Sequence, residues 1–147
     1  MSSAYGKIAR PKTYDSSKLE ALLPIEYTTK NKKLVSVHSL TTLFKQSEED
    51  SDLIAYLRLL LNEEIQAGNS YPQKSPLNPS EFENYFLSGD VFVVLNGEKT
   101  SSSSNEFHSN LEDNLLGTFY IKPNFPGRCS HVITIVLFSC EICMEII

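Results

Sequence analysis

The chain has 147 residues, of which 41% are hydrophobic and 21% are charged, and its net charge is -5 at pH 7. This length suits one domain with its own core, and the acidic balance does not favour nucleic acid as a partner. Three cysteines and no apolar leader after Met1 argue against a secreted disulfide scaffold. The apolar C-terminal segment is too short to span a bilayer, so we expect no membrane partner and a cytoplasmic protein, with a nuclear or mitochondrial location left open.

The N-terminal part begins with a polar arm. Residues 1–24 are rich in serine and lysine and lack apolar periodicity, which predicts a flexible segment with one helical turn near 18–23. Two β-prone runs follow at 25–29 and 34–39. Either run can be the first strand, with the lysine-rich residues between them as a turn. His38 lies in the second run, where a lone histidine on a strand face is the simplest interpretation.

A long amphipathic helix is predicted from about Ser51 to Gly68. Acidic and capping residues at 47–52 suit a helix N-terminus. Apolar residues then recur at a spacing of three or four, at Leu53, Leu57, Leu60, Leu61 and Ile65. Gly68 and the asparagine after it provide a left-handed stop. This pattern predicts one apolar stripe packed against the core.

A second helix and two strands complete the predicted elements. Asn-Pro-Ser-Glu at 78–81 opens a short helix through Leu87, with Phe82, Tyr85 and Phe86 on its buried side. The run at 91–95 is an uncharged strand, and 99–114 is a long solvated loop with four consecutive serines. The run at 116–121 is apolar on both faces and ends before Pro123. This order indicates an α/β fold of the α+β type, in which the strands at Val91 and Leu116 are antiparallel neighbours.

Two segments of the sequence resemble a known family. Leu-Leu-Gly-Thr-Phe-Tyr-Ile-Lys-Pro-Asn at 115–124, followed by Arg-Cys-Ser-His at 128–131, is similar to the third-strand region of yeast proline-analogue (azetidine-2-carboxylate) N-acetyltransferases. These enzymes are members of the GNAT superfamily. The segment from Leu53 to Gln73 resembles their first-helix region, in the same order along the chain. The resemblance implies that residues 25–131 form the N-terminal half of a GNAT domain, with a mixed central sheet, helices and an incomplete C-terminal half.

The resemblance also implies a reaction. GNAT enzymes transfer an acetyl group from acetyl-CoA to an amine, and this family implies a small amino-acid-like acceptor such as a proline analogue. The acceptor-side candidates are Glu64, Tyr71, Gln73 and Tyr120. As purely structural residues, Glu64 would be a solvated helix side chain, Gln73 a loop residue, and the two tyrosines packing residues. The resemblance assigns no catalytic residue and no general base.

The cofactor-binding turn of the family is not found in the sequence. GNAT enzymes resemble one another in an Arg/Gln-x-x-Gly-x-Gly/Ala turn, which offers backbone N–H groups at a helix N-terminus to the pyrophosphate. The glycines of this chain never form Gly-x-Gly, since they stand at positions 6, 68, 89, 97, 117 and 127. We therefore expect that this form does not bind acetyl-CoA and is inactive. The alternative function is that of a non-catalytic fragment or interaction protein.

The C-terminal residues 132–147 do not match the family, as expected of a frameshift, a retained intron or a mis-predicted exon boundary. Residues 132–138 carry no charge and no proline, so they predict a strand whose exposed edge favours self-association. A minor alternative is zinc, because Cys129, His131, Cys140 and Cys143 form a Cys3His set on paper. No glycine or proline shapes a metal knuckle there. A nucleophilic Cys129–His131 pair is disfavoured, since residues two apart stand too far apart along a strand.

Overall fold

The computed structural model describes residues 16–44, 50–69, 71, 73–97, 111–125 and 131–139. The helices in these ranges are α1 (Ser16–Glu20), α2 (Leu40–Phe44), α3 (Asp50–Ala67), α4 (Pro79–Tyr85) and α5 (Leu111–Asn114). The strands are β1 (Ile25–Thr28), β2 (Leu34–Ser39), β3 (Asp90–Asn96), β4 (Leu115–Pro123) and β5 (Ile133–Ser139). Most of the predicted arm, 1–15, and most of the predicted loop, 98–110, lie outside the described residues. None of the helices described is both long and apolar enough to cross a membrane.

The five strands form one sheet in the order β1-β2-β3-β4-β5, so neighbours in the chain are neighbours in the sheet. The pairing of β3 with β4 sets Val91 opposite Tyr120 and is antiparallel, as predicted. The α+β fold class is confirmed. The sheet differs in one respect from the mixed sheet that the resemblance implies, because every pairing between the described strands is antiparallel. The helices between β2 and β3 return the chain so that β3 runs opposite to β2.

Both β-prone runs near the N-terminus are strands, which form the β1–β2 hairpin. Its turn is closed by the Thr29 N–H, which donates to the Lys33 carbonyl at 2.9 Å, and Lys32 adopts a φ of 60°. His38 is paired on β2: its Nε2 lies 2.9 Å from Ser36 Oγ. Burial lowers the pKa of His38, and the carboxylate of Glu26 on β1 partly opposes this shift. His38 is therefore part of a polar pair inside the hairpin.

The core lies between α3, α4 and one face of the sheet. Helix α3 contributes four fully buried residues at the predicted spacing, Leu53, Leu57, Leu61 and Ile65, while Leu60 is half-buried beside them. From the sheet come Val91, Val93, Leu95, Leu115 and Tyr120. Each large apolar side chain buried in this way contributes roughly 1.5–3 kcal/mol of transfer free energy. On the opposite face, the Phe92 and Phe119 rings are stacked at 4.8 Å.

Helix α4 begins at the predicted capping box. The Asn78 side-chain oxygen accepts from the Glu81 N–H at 2.9 Å, and the Glu81 carboxylate accepts from the Asn78 N–H at 2.9 Å. These two bonds satisfy backbone donors that the first turn leaves open. The helix ends at Tyr85, slightly before the predicted end at Leu87, and Phe82 and Phe86 are buried as predicted. Because the cap fixes the first residue of α4, it also fixes the position of Tyr85 at the end of this helix.

Strand β5 is made of residues from the C-terminal segment 132–147. It pairs with β4 from Gly117 opposite Ser139 to Pro123 opposite Ile133. A strand beside the Leu116 strand was expected from the apolar pattern, and this expectation is confirmed. Val136 lies opposite Tyr120 and packs against the core, whereas Ile135 is exposed. The segment therefore extends the sheet.

Candidate functional site

Three tyrosine hydroxyl groups meet beside the sheet, and we call Tyr71, Tyr85 and Tyr120 the tyrosine triad. The Tyr71 hydroxyl donates to the Tyr85 hydroxyl at 2.9 Å, and the Tyr85 and Tyr120 hydroxyl oxygens are 2.9 Å apart. The Tyr71 and Tyr120 oxygens are 3.5 Å apart. Tyr85 is therefore the member with two short hydrogen bonds, and it lies at the centre of the triad.

Ring packing fixes the orientation of the triad. The Tyr85 ring meets the Tyr120 ring edge-on at 6.0 Å and 87°, and the Tyr71 ring meets the Tyr85 ring at 6.2 Å and 79°. Phe86, which is fully buried, meets Tyr120 edge-on at 5.3 Å. Edge-to-face pairs of this kind contribute about 0.5–1.5 kcal/mol each beyond their buried area. The three hydroxyl groups thus converge because the rings behind them are held by the core.

Lys122 adds a positive charge to the triad. Its Nζ lies 4.0 Å from the centroid of the Tyr85 ring and 4.8 Å from that of Tyr120. Lys122 follows Tyr120 by two residues on β4, so both side chains stand on the same face of the sheet. An ammonium above aromatic rings is attracted by their electron-rich faces. The same ammonium can attract the anionic end of a ligand.

Gln73, two residues after Tyr71, is a buried polar residue. Its side chain is 6% exposed, and its Oε1 has no hydrogen-bond partner among the residues that the structure describes. The Gln73 side chain lies close enough to the Tyr85 hydroxyl to lower the pKa of Tyr85. A buried acceptor without a donor costs about 1–3 kcal/mol. An N–H group of a ligand would satisfy this oxygen.

The pKa values of the three tyrosines of the triad are shifted in different directions. Burial raises the pKa of Tyr85, but hydrogen bonds from Tyr120, Tyr71 and Gln73 together with the charge of Lys122 outweigh it, so this pKa lies below its ordinary value. Burial is the main cause that raises the pKa of Tyr71 and of Tyr120. Hydrogen bonds to the charged form favour ionisation. Tyr85 is therefore the first phenol of the triad to lose its proton.

Asn62 on α3 positions the connector, which is the segment between α3 and α4 that carries Tyr71 and Gln73. Its side-chain oxygen accepts from the Leu77 N–H at 2.7 Å, and its Nδ2 donates to the Leu77 carbonyl at 3.1 Å. Both backbone groups of one connector residue are thus tied to helix α3. The amide of Asn62 therefore holds the start of α4, and with it Tyr85, at a fixed distance from α3.

The structure brings together three of the four acceptor-side candidates. The Tyr71 and Tyr120 hydroxyl groups lie within hydrogen-bond distance of the Tyr85 hydroxyl, and Gln73 lies close enough to lower its pKa. Glu64 lies on α3. Tyr85 and Lys122 were not among the predicted site residues. The sequence pattern indicated only that Tyr85 packs on the buried side of a helix and that Lys122 follows the end of a strand. The sequence signal that could have identified Lys122 is its spacing of two residues from Tyr120, which places both side chains on one face of the strand.

The zinc alternative stays a prediction. Three of its four ligands, Cys129, Cys140 and Cys143, lie outside the described residues, and the fourth, His131, is exposed. Within the described ranges, no group of three or more histidine, cysteine, aspartate or glutamate side chains is placed to hold a metal ion.

Three of the described glycines do not form a cradle for the pyrophosphate of acetyl-CoA. Gly89 and Gly97 face their own chain, since an added Cβ would lie 2.7 Å from the Ile121 carbonyl oxygen and 2.7 Å from the Leu34 side chain, respectively. Gly68 has a φ of 68° at the C-terminal end of α3. The N-terminus of α4 is occupied by its own capping box, which includes the negative charge of Glu81. In this part of the chain, none of these three glycines opens an anion cradle at a helix N-terminus.

The fold and the triad define an α+β domain with a polar aromatic site beside its sheet. Comparison with known proteins adds a relative: the chain is 35% identical over 95 residues to the N-acetyltransferase aca1 of Schizosaccharomyces pombe. The match covers 63% of this chain and 44% of that protein, so it spans less than half of the relative's length. No family model matches the chain. The identity to aca1 supports an N-acetyltransferase family.

Proposed function

We propose that this chain carries the amine-acceptor side of an acetyl-CoA-dependent N-acetyltransferase, and that its acceptor is a small amino-acid-like amine. The observation that carries the proposal is the convergence of Tyr71, Gln73 and Tyr120 on the hydroxyl of Tyr85. These are three of the four positions that the resemblance assigns to the acceptor side, the fourth being Glu64. The relatedness to a curated N-acetyltransferase supports the same reaction class.

The chemistry of the cluster suits a zwitterion. The Gln73 Oε1 oxygen is buried and has no donor among the described residues, so it matches an N–H of an ammonium group. The Lys122 ammonium lies over the two rings and matches a carboxylate. Both groups contact the same tyrosine, Tyr85, which places the two recognition atoms on one side of the domain. A compact amino acid presents both charges within a few bonds.

Acetyl-CoA, when bound, supplies the acetyl group as a thioester. Because the described residues do not fit its pyrophosphate, we propose that transfer requires cofactor-binding residues beyond those that the described part of this chain provides. The triad then binds and orients the acceptor and excludes water from it. Binding of the acceptor can be measured without the cofactor.

Binding of azetidine-2-carboxylate tests the acceptor site directly. We expect the tyrosine ring signals of the triad to shift in an NMR titration, with the affinity falling at least about tenfold for Gln73→Leu and for Lys122→Met, since each removes a hydrogen bond or charge contact worth on the order of 1.4 kcal/mol. Azetidine without the carboxylate is the matched ligand control for Lys122. Ring shifts confined to Tyr27, which is exposed on β1, or equal affinity in all variants would contradict the proposal.

The second candidate function, a non-catalytic interaction protein, is favoured by one observation on β5. This strand is the last in the sheet order, and Ile133 and Ile135 on it are 49% and 57% exposed. An apolar strand at a sheet edge presents backbone groups and side chains to which another chain can pair. We propose a second copy of this chain as the partner.

Self-association is expected to be visible in sedimentation velocity as a weight-average mass that rises with protein concentration. The double substitution Ile133→Lys and Ile135→Lys should return the protein to a monomer, because like charges at the edge repel and the apolar contact is lost. Leu59→Lys is the matched control, since Leu59 is 51% exposed on α3. A monomeric unsubstituted chain at all concentrations would rule out this partner.

A further inference from the structure

Tyr85 is the residue that contacts both other members of the tyrosine triad and Lys122. Its hydroxyl accepts a hydrogen bond from Tyr71 at 2.9 Å and lies 2.9 Å from the Tyr120 hydroxyl, which can serve as donor or acceptor. Its ring lies under the Lys122 ammonium at 4.0 Å. Of these titratable and charged groups, Tyr71 belongs to the connector, and Tyr120 and Lys122 belong to β4. Tyr85 is thus surrounded by hydrogen-bond donors and a cation.

This environment suits a phenolate. When Tyr85 loses its proton, Tyr71 continues to donate to the oxygen, and the Tyr120 hydroxyl can rotate to donate as well. The Lys122 charge stabilises the anion through the ring. The lowered pKa of Tyr85 agrees with this arrangement. Tyrosine is one of the side chains that act as general bases when their acidity is adjusted in this way.

Gln73 places a ligand next to the same hydroxyl. Its side chain lies close enough to the Tyr85 hydroxyl to lower the pKa of Tyr85, while its Oε1 has no partner among the described residues. An ammonium held on Oε1 would therefore lie near the Tyr85 oxygen. One N–H can point to the amide oxygen and another to the phenolate.

We infer that the phenolate oxygen of Tyr85 accepts the proton of an ammonium group held on the side-chain oxygen of Gln73. The inference rests on the proposed function and adds to it the group that generates the nucleophile. In this step an N–H bond of the ammonium breaks, the proton goes to the phenolate oxygen of Tyr85, and nitrogen keeps the electron pair. The products are a neutral amine and a neutral phenol, and no further reactant is needed.

The ultraviolet absorbance of tyrosinate measures this transfer without acetyl-CoA. At the pH where the chain first shows tyrosinate, saturating azetidine-2-carboxylate should remove that signal. Its N,N-dimethyl analogue keeps the carboxylate and the positive charge but has no N–H, so at a concentration where calorimetry shows it bound it should leave the signal in place. The first tyrosinate signal should be missing in Tyr85→Phe and retained in the control Tyr27→Phe. Lys122→Met keeps the phenol but should move the onset of the signal to higher pH.

The outcomes separate the inference from the proposed function. Binding of azetidine-2-carboxylate by calorimetry with no loss of tyrosinate overturns the role of Tyr85 and leaves the acceptor site standing. An equal loss with the N,N-dimethyl analogue also overturns it, because no proton is then transferred. Absence of binding in the unsubstituted chain overturns both. Circular dichroism verifies that Tyr85→Phe is folded, and Lys122→Met provides the test if it is not.

Discussion

The 147-residue chain is expected to release no thiol from acetyl-CoA above the uncatalysed rate when azetidine-2-carboxylate is present. The nucleotide end of the cofactor needs free backbone N–H groups at a helix N-terminus. The sequence has no Gly-x-Gly, and the described residues offer no such cradle at Gly68, Gly89 or Gly97. Without that binding energy, the thioester is not held within the roughly 3 Å approach that transfer demands.

A fusion gives the positive control for this prediction. Residues 1–131 are joined to the C-terminal half of the N-acetyltransferase aca1 of Schizosaccharomyces pombe, and thiol release and acetyl-CoA calorimetry are measured on both proteins. We expect turnover only from the fusion, because its added half comes from an N-acetyltransferase, whereas the 147-residue chain has no Gly-x-Gly turn. Micromolar binding of acetyl-CoA or turnover by the 147-residue chain would contradict the prediction. A folded fusion that binds acetyl-CoA and does not turn over would count against the acceptor role of the triad.

Local sequence patterns predicted most of the fold. The spacing of Leu53, Leu57 and Ile65 reports which side of α3 faces the core, because a helix repeats every three to four residues. The capping box at Asn78 and Glu81 uses neighbouring backbone groups only, and so it too is visible in the sequence. These features depend on residues a few positions apart.

The candidate site could be predicted only in part, because its contacts are long-range. The hydroxyl pairs of the triad join residues 14, 35 and 49 positions apart, for Tyr71–Tyr85, Tyr85–Tyr120 and Tyr71–Tyr120, respectively. No periodicity relates such positions. Resemblance to the family supplied Tyr71, Gln73 and Tyr120, while Tyr85 has the sequence context of an ordinary buried helix residue. That the Gln73 oxygen has no partner among the described residues follows from the packing around it, which only the structure shows.

Truncation of Phe86 is expected to have the largest effect on stability. Phe86 is fully buried, its ring stacks on Phe82 at 5.0 Å, and it meets the Tyr120 ring edge-on. Phe86→Ala should lower the free energy of unfolding by about 3–5 kcal/mol, the range found when a buried phenylalanine is replaced by alanine. Since a domain of this kind is stabilised by roughly 5–15 kcal/mol in total, the loss is a large part of the whole. Urea denaturation followed by circular dichroism measures it.

Phe86→Leu and Leu59→Ala distinguish the sources of this loss. Phe86→Leu keeps an apolar side chain but removes the ring, so it should cost less than Phe86→Ala while still freeing the Tyr120 ring to rotate. Leu59 is exposed on α3, and Leu59→Ala should change the free energy of unfolding by no more than about 0.5 kcal/mol. If the ring of Phe86 orients the triad, Phe86→Leu should also weaken azetidine-2-carboxylate binding, although Phe86 contacts no ligand. Unchanged binding in a folded Phe86→Leu protein would show that Tyr71 and Tyr85 suffice to hold the Tyr120 hydroxyl.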